Sequence, residues 1–481
     1  MSTPTEETSR QNEDTEKKED IYEDWIPNAT KMVEMIYNFC FQHYTSNPEE
    51  KISDIEHQIG LCNQLLDSIP QEKRQSESER SMFAYLKGRL YNAVPDVYKE
   101  EAEHYLVEAT NLDPCLLDAW NCLGMCLAKK GDYRRAKNSF EFVLRMDQNS
   151  IILRQLAELE LQFAPDSGLV AEDPVQQLGE CIKYAQKTLA LDDTDGRCYY
   201  ILASAYFTSF HMTGGWNHDN LLSALEAYEK AEKIDTTNSH PNLRYDCAVV
   251  NRFLENYKRS LIGLSEAALK NPVDALYQVK VTLQLLDRIE GLLQGKSNDK
   301  SKEKSKGKSK GKSKGKSKGK STETSVSSLI QSLATIDLNP SYNRATVDLL
   351  TEGLNKETAV IAAVRCLVKY EYKAPVYYLL CDSDENSFVL IVFGIQQEAI
   401  KQGDQVTLFD PFCKFVDFEW QGKFFSPSFC VSTTPYNTGA LEPLAMHYQF
   451  KSVRVNLPEQ ILVNGNAVSP NFAIRESILF A

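Results

Sequence analysis

Seven histidines and 12 cysteines have the widest chemical range of any side chains in this sequence, and their spacing decides against most of it. His43, His57, His104, His211, His218, His240 and His447 fall at no interval that sets a metal-binding pair beside a second one. His211 and His218 share a segment with Trp216, which reads as a protruding contact loop. Cys122 and Cys126 share a helix face, but no second Cys or His pair stands at zinc spacing nearby. Other cysteines, such as Cys247 and Cys366, sit inside apolar patterns and read as small core residues of a reducing compartment. The Gly-Lys-Ser triplets of residues 295–325 fall one residue short of phosphate-loop spacing and follow no apolar strand. No nucleophile motif is found. The expectation is a non-enzymatic protein with no catalytic residues, no metal and no cofactor.

What remains is recognition chemistry, which depends on the elements that position it. Residues 118–148, DAWNCLGMCLAKKGDYRRAKNSFEFVLRMDQ, set the pattern. Trp120 and Leu123 share one helix face, Gly131-Asp132 breaks the helix, and Ala136, Phe140 and Val143 form the stripe of a second helix. Gly124 and Ala136 are small enough for two helices to approach closely, with Phe140 filling the space between. This W-x2-LG…A-x3-F spacing is that of a tetratricopeptide repeat. Looser copies span 83–114, 151–193, 196–236 and 242–272, with a capping helix over 273–293. The third carries an insertion near Pro165 to Asp173, and the fourth has a turn lengthened by FHMTGGWNHDN. Two further helices precede them, from about Pro27 and Ile52. The reading is an α-solenoid of about five such repeats, each burying its faces against its neighbours.

Solenoids of this kind bind extended peptides through the first helix of each repeat. Counting from Trp120, the second repeat offers Asp118, Asn121 and Met125. The fourth offers Arg197, Tyr200 and Ser204, and the fifth Asn242, Tyr245 and Arg252. Asn121 and Tyr200 can hydrogen-bond a peptide backbone. Arg197 or Arg252 can pair a carboxylate bidentately, and Asp118 can pair an amine.

Residues 1–20 are polar and acidic and read as disordered. Residues 21–294 hold the helices. Residues 295–325 form a Lys/Gly/Ser tract that reads as a flexible linker. From 326 to 481 a short helix (327–333) leads into a period of two. Strands are expected at 345–350, 358–369, 376–381, 387–393, 405–409, 413–418, 424–431 and 452–455, with a last one at Leu462-Val463 before the Asn464-Gly465 turn, and a short helix at 396–401. These suit a small β-barrel of the oligonucleotide/oligosaccharide-binding (OB) type, with a β-sandwich as the alternative. Phe409, Phe412, Phe415, Phe418 and Trp420 cluster in it, and Phe412, Lys414, Phe418 and Trp420 are its contact candidates. With only Lys414 and Lys423 close by, they read as core and a protein-facing patch, and nucleic acid binding is expected to be weak at most.

Net charge is −14, but the lysine tract carries 12 lysines against Asp299, Glu303 and Glu323, a surplus of +9 that leaves −23 elsewhere. So acidic a body argues against a nucleic-acid-binding solenoid. No apolar run reaches transmembrane length and the N-terminus is no signal peptide, so a cytoplasmic and nuclear protein with no membrane partner is expected.

The segments DAWNCLGMCLAKKGD (118–132), DGRCYYILASAY (195–206), SALEAYEKAEKID (223–235), VYYLLCDSDENSFVLIVFGI (376–395) and ILVNGNAVSP (461–470) resemble the tetratricopeptide repeat protein 5 family, the stress-responsive activators of a histone acetyltransferase co-activator. The resemblance implies two roles. In the cytosol, the family reads the N-terminal peptide of nascent tubulin at the ribosome and triggers decay of tubulin mRNA through an adaptor. In the nucleus, it scaffolds a histone acetyltransferase co-activator complex in the stress response, with the barrel contacting chromatin. An arginine and two acidic residues that the resemblance implies for the tubulin-reading groove fall, by ungapped pairing, at Leu161, Asn242 and Leu276, with the charges Arg154 and Glu266 nearby.

Overall fold

The computed structural model describes residues 25–42, 48–163, 174–234, 242–269, 272–295, 328–372, 374–421 and 446–472. The N-terminal tail, the insertion near 165–173, nearly all of the lysine tract and the expected strand at 424–431 lie outside the described residues. The chain divides into two compact units, 1–194 and 195–481.

The first unit holds α1 (Trp25–Gln42), α2 (Pro48–Asp67), α3 (Glu77–Tyr91), α4 (Glu100–Leu112), α5 (Leu117–Lys130), α6 (Tyr133–Met146), α7 (Ser150–Phe163) and α8 (Pro174–Leu191). Local sequence sets these boundaries. Ser76 and Glu79 close a reciprocal capping box at the start of α3. Gly131 ends α5 in the left-handed region at φ 83°, and the Asp132 carboxylate then accepts from the Arg135 amide to begin α6. A Cβ on Gly124 would meet the Phe140 ring at 2.6 Å, so the expected close approach of α5 and α6 holds. Leu106, Ala109, Ala119, Leu123, Ala136 and Phe140 join one continuous core. Each hairpin closes only against its neighbours, which is the repeat architecture expected.

The second unit continues with α9 (Gly196–Met212), α10 (His218–Ile234), α11 (Leu243–Phe253), α12 (Tyr257–Ala267) and α13 (Pro272–Leu293). It also contains the strands β1 (Asn343–Ala345), β2 (Gly353–Leu354), β3 (Thr358–Val368), β4 (Val376–Asp382), β5 (Ser387–Val392), β6 (Gln405–Phe409), β7 (Phe412–Trp420), β8 (Met446–Arg454), β9 (Ile461–Val463) and β10 (Asn466–Ala467). They form one sheet in the order β10-β9-β6-β3-β4-β5-β8-β7-β2, with β1 parallel to β3. β4 is buried at every position, which explains its unbroken apolar run VYYLLC. Val376, Tyr378 and Leu380 enter the barrel core, while Cys381 on the other face meets Ile330 and Leu333 of the preceding short helix.

Two local expectations change. Residues 345–350 do not form a strand: β1 ends at Ala345 and a single 3-10 turn, Val347–Leu349, follows. The Val347 amide donates to Asp382 Oδ2 at 2.9 Å, so a side chain takes the place of a ladder partner. Around 396–401 there is only a 3-10 turn, Gln397–Ala399. The helices and the sheet, read from the sequence as bodies on either side of the lysine tract, do not separate there. α13 packs on β3, β4, β5 and β8, and α12 on β7.

Nine of the described cysteines, Cys122, Cys126 and Cys247 among them, are buried, and none of those described is paired. Among the described residues, no helix is long and apolar enough to cross a membrane.

Candidate peptide-binding site

In the first unit, Asp118 is exposed near the start of α5, and Asn121 and Met125 follow half-buried along the same face. The Asn121 Oδ1 atom is buried with no hydrogen-bond partner among the described residues.

In the second unit, the first helices of the last two repeats are more occupied than the sequence suggested. The Tyr200 hydroxyl donates to Asp246 Oδ2 at 2.6 Å. Burial pushes the Asp246 carboxyl up to about 6, with the Tyr200 hydrogen bond pulling the other way. Ser204 Oγ lies 3.0 Å from the Tyr228 hydroxyl. Arg197 and Asn242 are exposed and Tyr245 is half-buried.

Arg252, expected at the surface, is buried, 8% exposed. Its guanidinium bonds Gln278 of α13 and lies 5.3 Å from the ring centre of Tyr372. Gln278 Nε2 in turn donates to the Tyr372 hydroxyl at 2.7 Å, and the Tyr277 hydroxyl donates to Glu371 at 2.7 Å. The loop between β3 and β4 therefore covers Arg252, which the sequence could not show because the two lie more than a hundred residues apart.

The barrel candidates are likewise turned inward. The Lys414 ammonium donates to the Leu254 carbonyl at 2.7 Å and to Asn256 Oδ1 at 2.6 Å, and burial holds it below the usual lysine range. The Phe412 ring lies under the Arg454 guanidinium at 4.4 Å. Phe418 is buried beside Tyr448, whose hydroxyl donates to Asp287 of α13 at 2.7 Å. Trp420 is half-buried, and its indole N–H has no hydrogen-bond partner among the described residues.

The expected protruding loop does not protrude. His211 and His218 are 1% and 5% exposed. Their rings stand edge-on to Phe207, Phe210, Phe253 and Phe393 at centroid distances of 4.5 to 5.5 Å. Burial drives their pKa values down to about 3 and about 2, helped by Arg252 near His211 and Arg454 near His218. Trp216 closes over Gly394, where a Cβ would strike the indole. The aromatic residues that made this stretch look like a contact loop are what seat it on the barrel. Among the described residues, no group of three or more His, Cys, Asp or Glu is placed to hold a metal ion.

One cluster was missed. Glu229 and Glu232 of α10 lie with Glu266 of α12 around Arg244 and Arg259. Arg244 pairs with Glu266, and Arg259 pairs with Glu229 at 2.5 Å. Burial pushes the Glu232 carboxyl above the usual range; Arg259 and Arg244 pull it back, while Glu229 and Glu266 push it up. Glu232 and Glu266 are about 34 residues apart, one repeat period, so stacking of repeats brings them together. That interval was the available signal.

Helical hairpins stacked in series, followed by a β-domain seated on the last of them, define a tetratricopeptide-repeat protein with a C-terminal OB-fold domain. Residues 341–477 match the family described as the Tetratricopeptide repeat protein 5 OB fold domain, which settles the barrel against the sandwich. Over 437 residues the chain is 28% identical to Tetratricopeptide repeat protein 5 of Mus musculus, a match spanning 89% of this chain and 90% of that protein. The Homo sapiens protein of the same name is 26% identical over 448 residues, 92% of this chain and 93% of its own. The resemblance to Tetratricopeptide repeat protein 5 therefore extends over about nine tenths of the sequence. Among solved structures, that of YrrB, titled a TPR protein with an unusual peptide-binding site, aligns with a TM-score of 0.32 and 20% identity over 45% of this chain and 97% of its own.

Proposed function

We propose that this protein is a non-enzymatic adaptor that reads the N-terminal peptide of nascent tubulin and links the ribosome to tubulin mRNA decay, acting in the cytosol. The observation that carries the reading is the pairing of Glu232 with Glu266 one repeat apart. The family resemblance calls for an arginine and two acidic residues. Glu232 and Glu266, both in the second unit, supply the two acidic charges, in place of Asn242 and Leu276. A tubulin chain begins with methionine, arginine and an acidic residue. The two glutamates suit the peptide's arginine: a half-buried carboxylate beside other carboxylates gains most from an added cation. Arg197, exposed on α9 of the same unit, suits the acidic residue through a bidentate pair. Asn242 stands as a further proposed contact, and Asp118, Asn121 and Met125 are proposed contacts of the first unit by itself.

The test is fluorescence anisotropy with a labelled peptide beginning Met-Arg-Glu and a scrambled control. Wild-type protein is expected to prefer the first. Glu232→Lys, Glu266→Lys and Arg197→Glu should each weaken it by at least about tenfold, the scale of a lost charge-assisted pair. Equal binding of both peptides would overturn the tubulin reading and favour the nuclear co-activator scaffold.

A further inference from the structure

Between the second helices of the first two repeats, α4 and α6, a cleft of about 370 Å³ opens over α5. Trp120 and Phe142 make one corner, their ring centroids 4.7 Å apart and tilted by 40°. The Trp120 indole N–H donates to the Pro114 carbonyl at 3.1 Å, which fixes the ring in place. Leu123 and Leu127, both buried, form the floor. Of the 11 lining residues only Arg135 and Arg145 carry charge. Arg135 is held by Glu103 at 2.7 Å and Asp132 at 3.5 Å, while Arg145 is exposed and forms no ion pair among the described residues.

This cleft is separate from the groove candidates. At about 100° per residue, Trp120, Leu123 and Leu127 share one arc of α5, and Asp118, Asn121 and Met125 lie on the opposite arc. It also differs from its counterpart in the fourth repeat. Aligning Ala136 and Phe140 with Ala224 and Tyr228 puts Lys230 where Phe142 stands and, once the longer turn of the fourth repeat is allowed for, Tyr199 where Trp120 stands. There Lys230 lies 5.6 Å from the centre of the Tyr199 ring and pairs with Glu226 at 2.8 Å. The fourth repeat fills with its own ion pair the seat that the second leaves open.

We propose that this cleft is a second binding site, which takes an aromatic side chain presented by an acidic, extended segment of a partner protein. Its volume is at the small end for ligand pockets, which suits one side chain rather than a cofactor. The aromatic corner offers tilted stacking to the incoming ring. Arg135 is already neutralised by Glu103 and Asp132, and the exposed Arg145 is the rim charge left to select acidic residues beside the aromatic one.

The probe is a fluorescein-labelled peptide, Gly-Glu-Asp-Phe-Glu-Asp-Gly, titrated with the full-length protein. Replacing its Phe by Ala should weaken binding by about tenfold or more, the scale of a buried aromatic anchor. Arg145→Glu, at an exposed position, should weaken it by about fivefold while leaving the thermal midpoint in place. Phe142→Lys, which copies the fourth repeat, should abolish it. The proposal fails if the Ala peptide binds as well as the Phe peptide, or if a version with Lys for every acid binds equally. It fails too if Arg145→Glu and Phe142→Lys leave the affinity unchanged.

Discussion

Glu255 and Arg454 face each other at 3.6 Å with side chains only 3% and 6% exposed, one just past the end of α11 and the other at the end of β8. The Ser452 hydroxyl donates to the same glutamate. Glu255 sits at φ 61°, so the turn that presents it is itself unusual. Burial pushes the Arg454 guanidinium below its ordinary range, and Glu255 pulls it back up. Removing one member of a buried pair leaves the other charge unpaired, at a cost of about 3–5 kcal/mol. Arg454→Leu is therefore expected to lower the urea midpoint of the second unit, and Arg454→Leu with Glu255→Gln to recover a large part of the loss. Equal midpoints for the single and double variants would contradict this.

Residues 326–481 alone are expected to fold poorly. Lys414, Tyr448, Ser452 and Arg454 take partners from residues 254–287, and a barrel cut from them exposes those groups together with Phe393. The fragment 195–481 should give dispersed amide resonances and resist trypsin outside the lysine tract. The shorter piece should do neither.

Acid should loosen the second unit through its two buried imidazoles. In the unfolded chain a histidine takes up its proton near pH 6.5. In the fold, His211 and His218 do so only at about 3 and about 2. Depressed values mean that the unfolded state binds more protons, so stability is complete above about 6.5 and falls as the pH drops. Two such groups give a slope of about 2.7 kcal/mol per pH unit below pH ~5.5. Urea midpoints at pH 7, 5.5 and 4.5 measure it. His211→Leu with His218→Leu should flatten the curve.

Asp246 acts in the opposite sense. Its carboxyl titrates at about 6 in the fold, above the usual aspartate value, so the folded state holds its proton longer. Stability from this group is present below the unfolded value and is lost as the pH rises toward 6. Asp246→Asn keeps an acceptor for the Tyr200 hydroxyl and should raise the thermal midpoint at pH 7 relative to pH 4.5. A drop at both pH values would mean that the charge itself is needed.

Gly124→Ala tests the repeat packing directly. The new methyl meets Phe140 at 2.6 Å in an otherwise filled core, and overpacking typically costs about 1–3 kcal/mol, partly offset by alanine's better helix propensity. A melting temperature equal to wild type would show that α5 and α6 can part without penalty.

The repeats were legible because their signals are local. Trp120, Gly124, Gly131, Ala136 and Phe140 fall within one hairpin and fix its geometry together. The strands from 358 to 409 were legible for the same reason. β8 was read only at 452–455, because exposed His447 and Gln449 and half-buried Lys451 alternate with its buried residues and hide the run. The site was less legible. Arg252, Lys414 and His218 have the residue types of contact groups, and nothing within ten residues of each tells that another domain covers it. Glu232 was passed over, and Glu266 was noted only as a nearby charge, because their shared meaning lies in an interval rather than in a neighbourhood.

A repeat array can ordinarily grow or shrink at either end, since each joint resembles the next. The joint between the last repeats and the barrel resembles no other: it needs Trp216 over Gly394, Arg252 under Tyr372, and Glu255 beside Arg454. A repeat duplicated or deleted between α9 and α13 would carry off half of each contact. Changes in repeat number are thus confined to the stretch before α9, and in the course of descent this array can be lengthened from one side only.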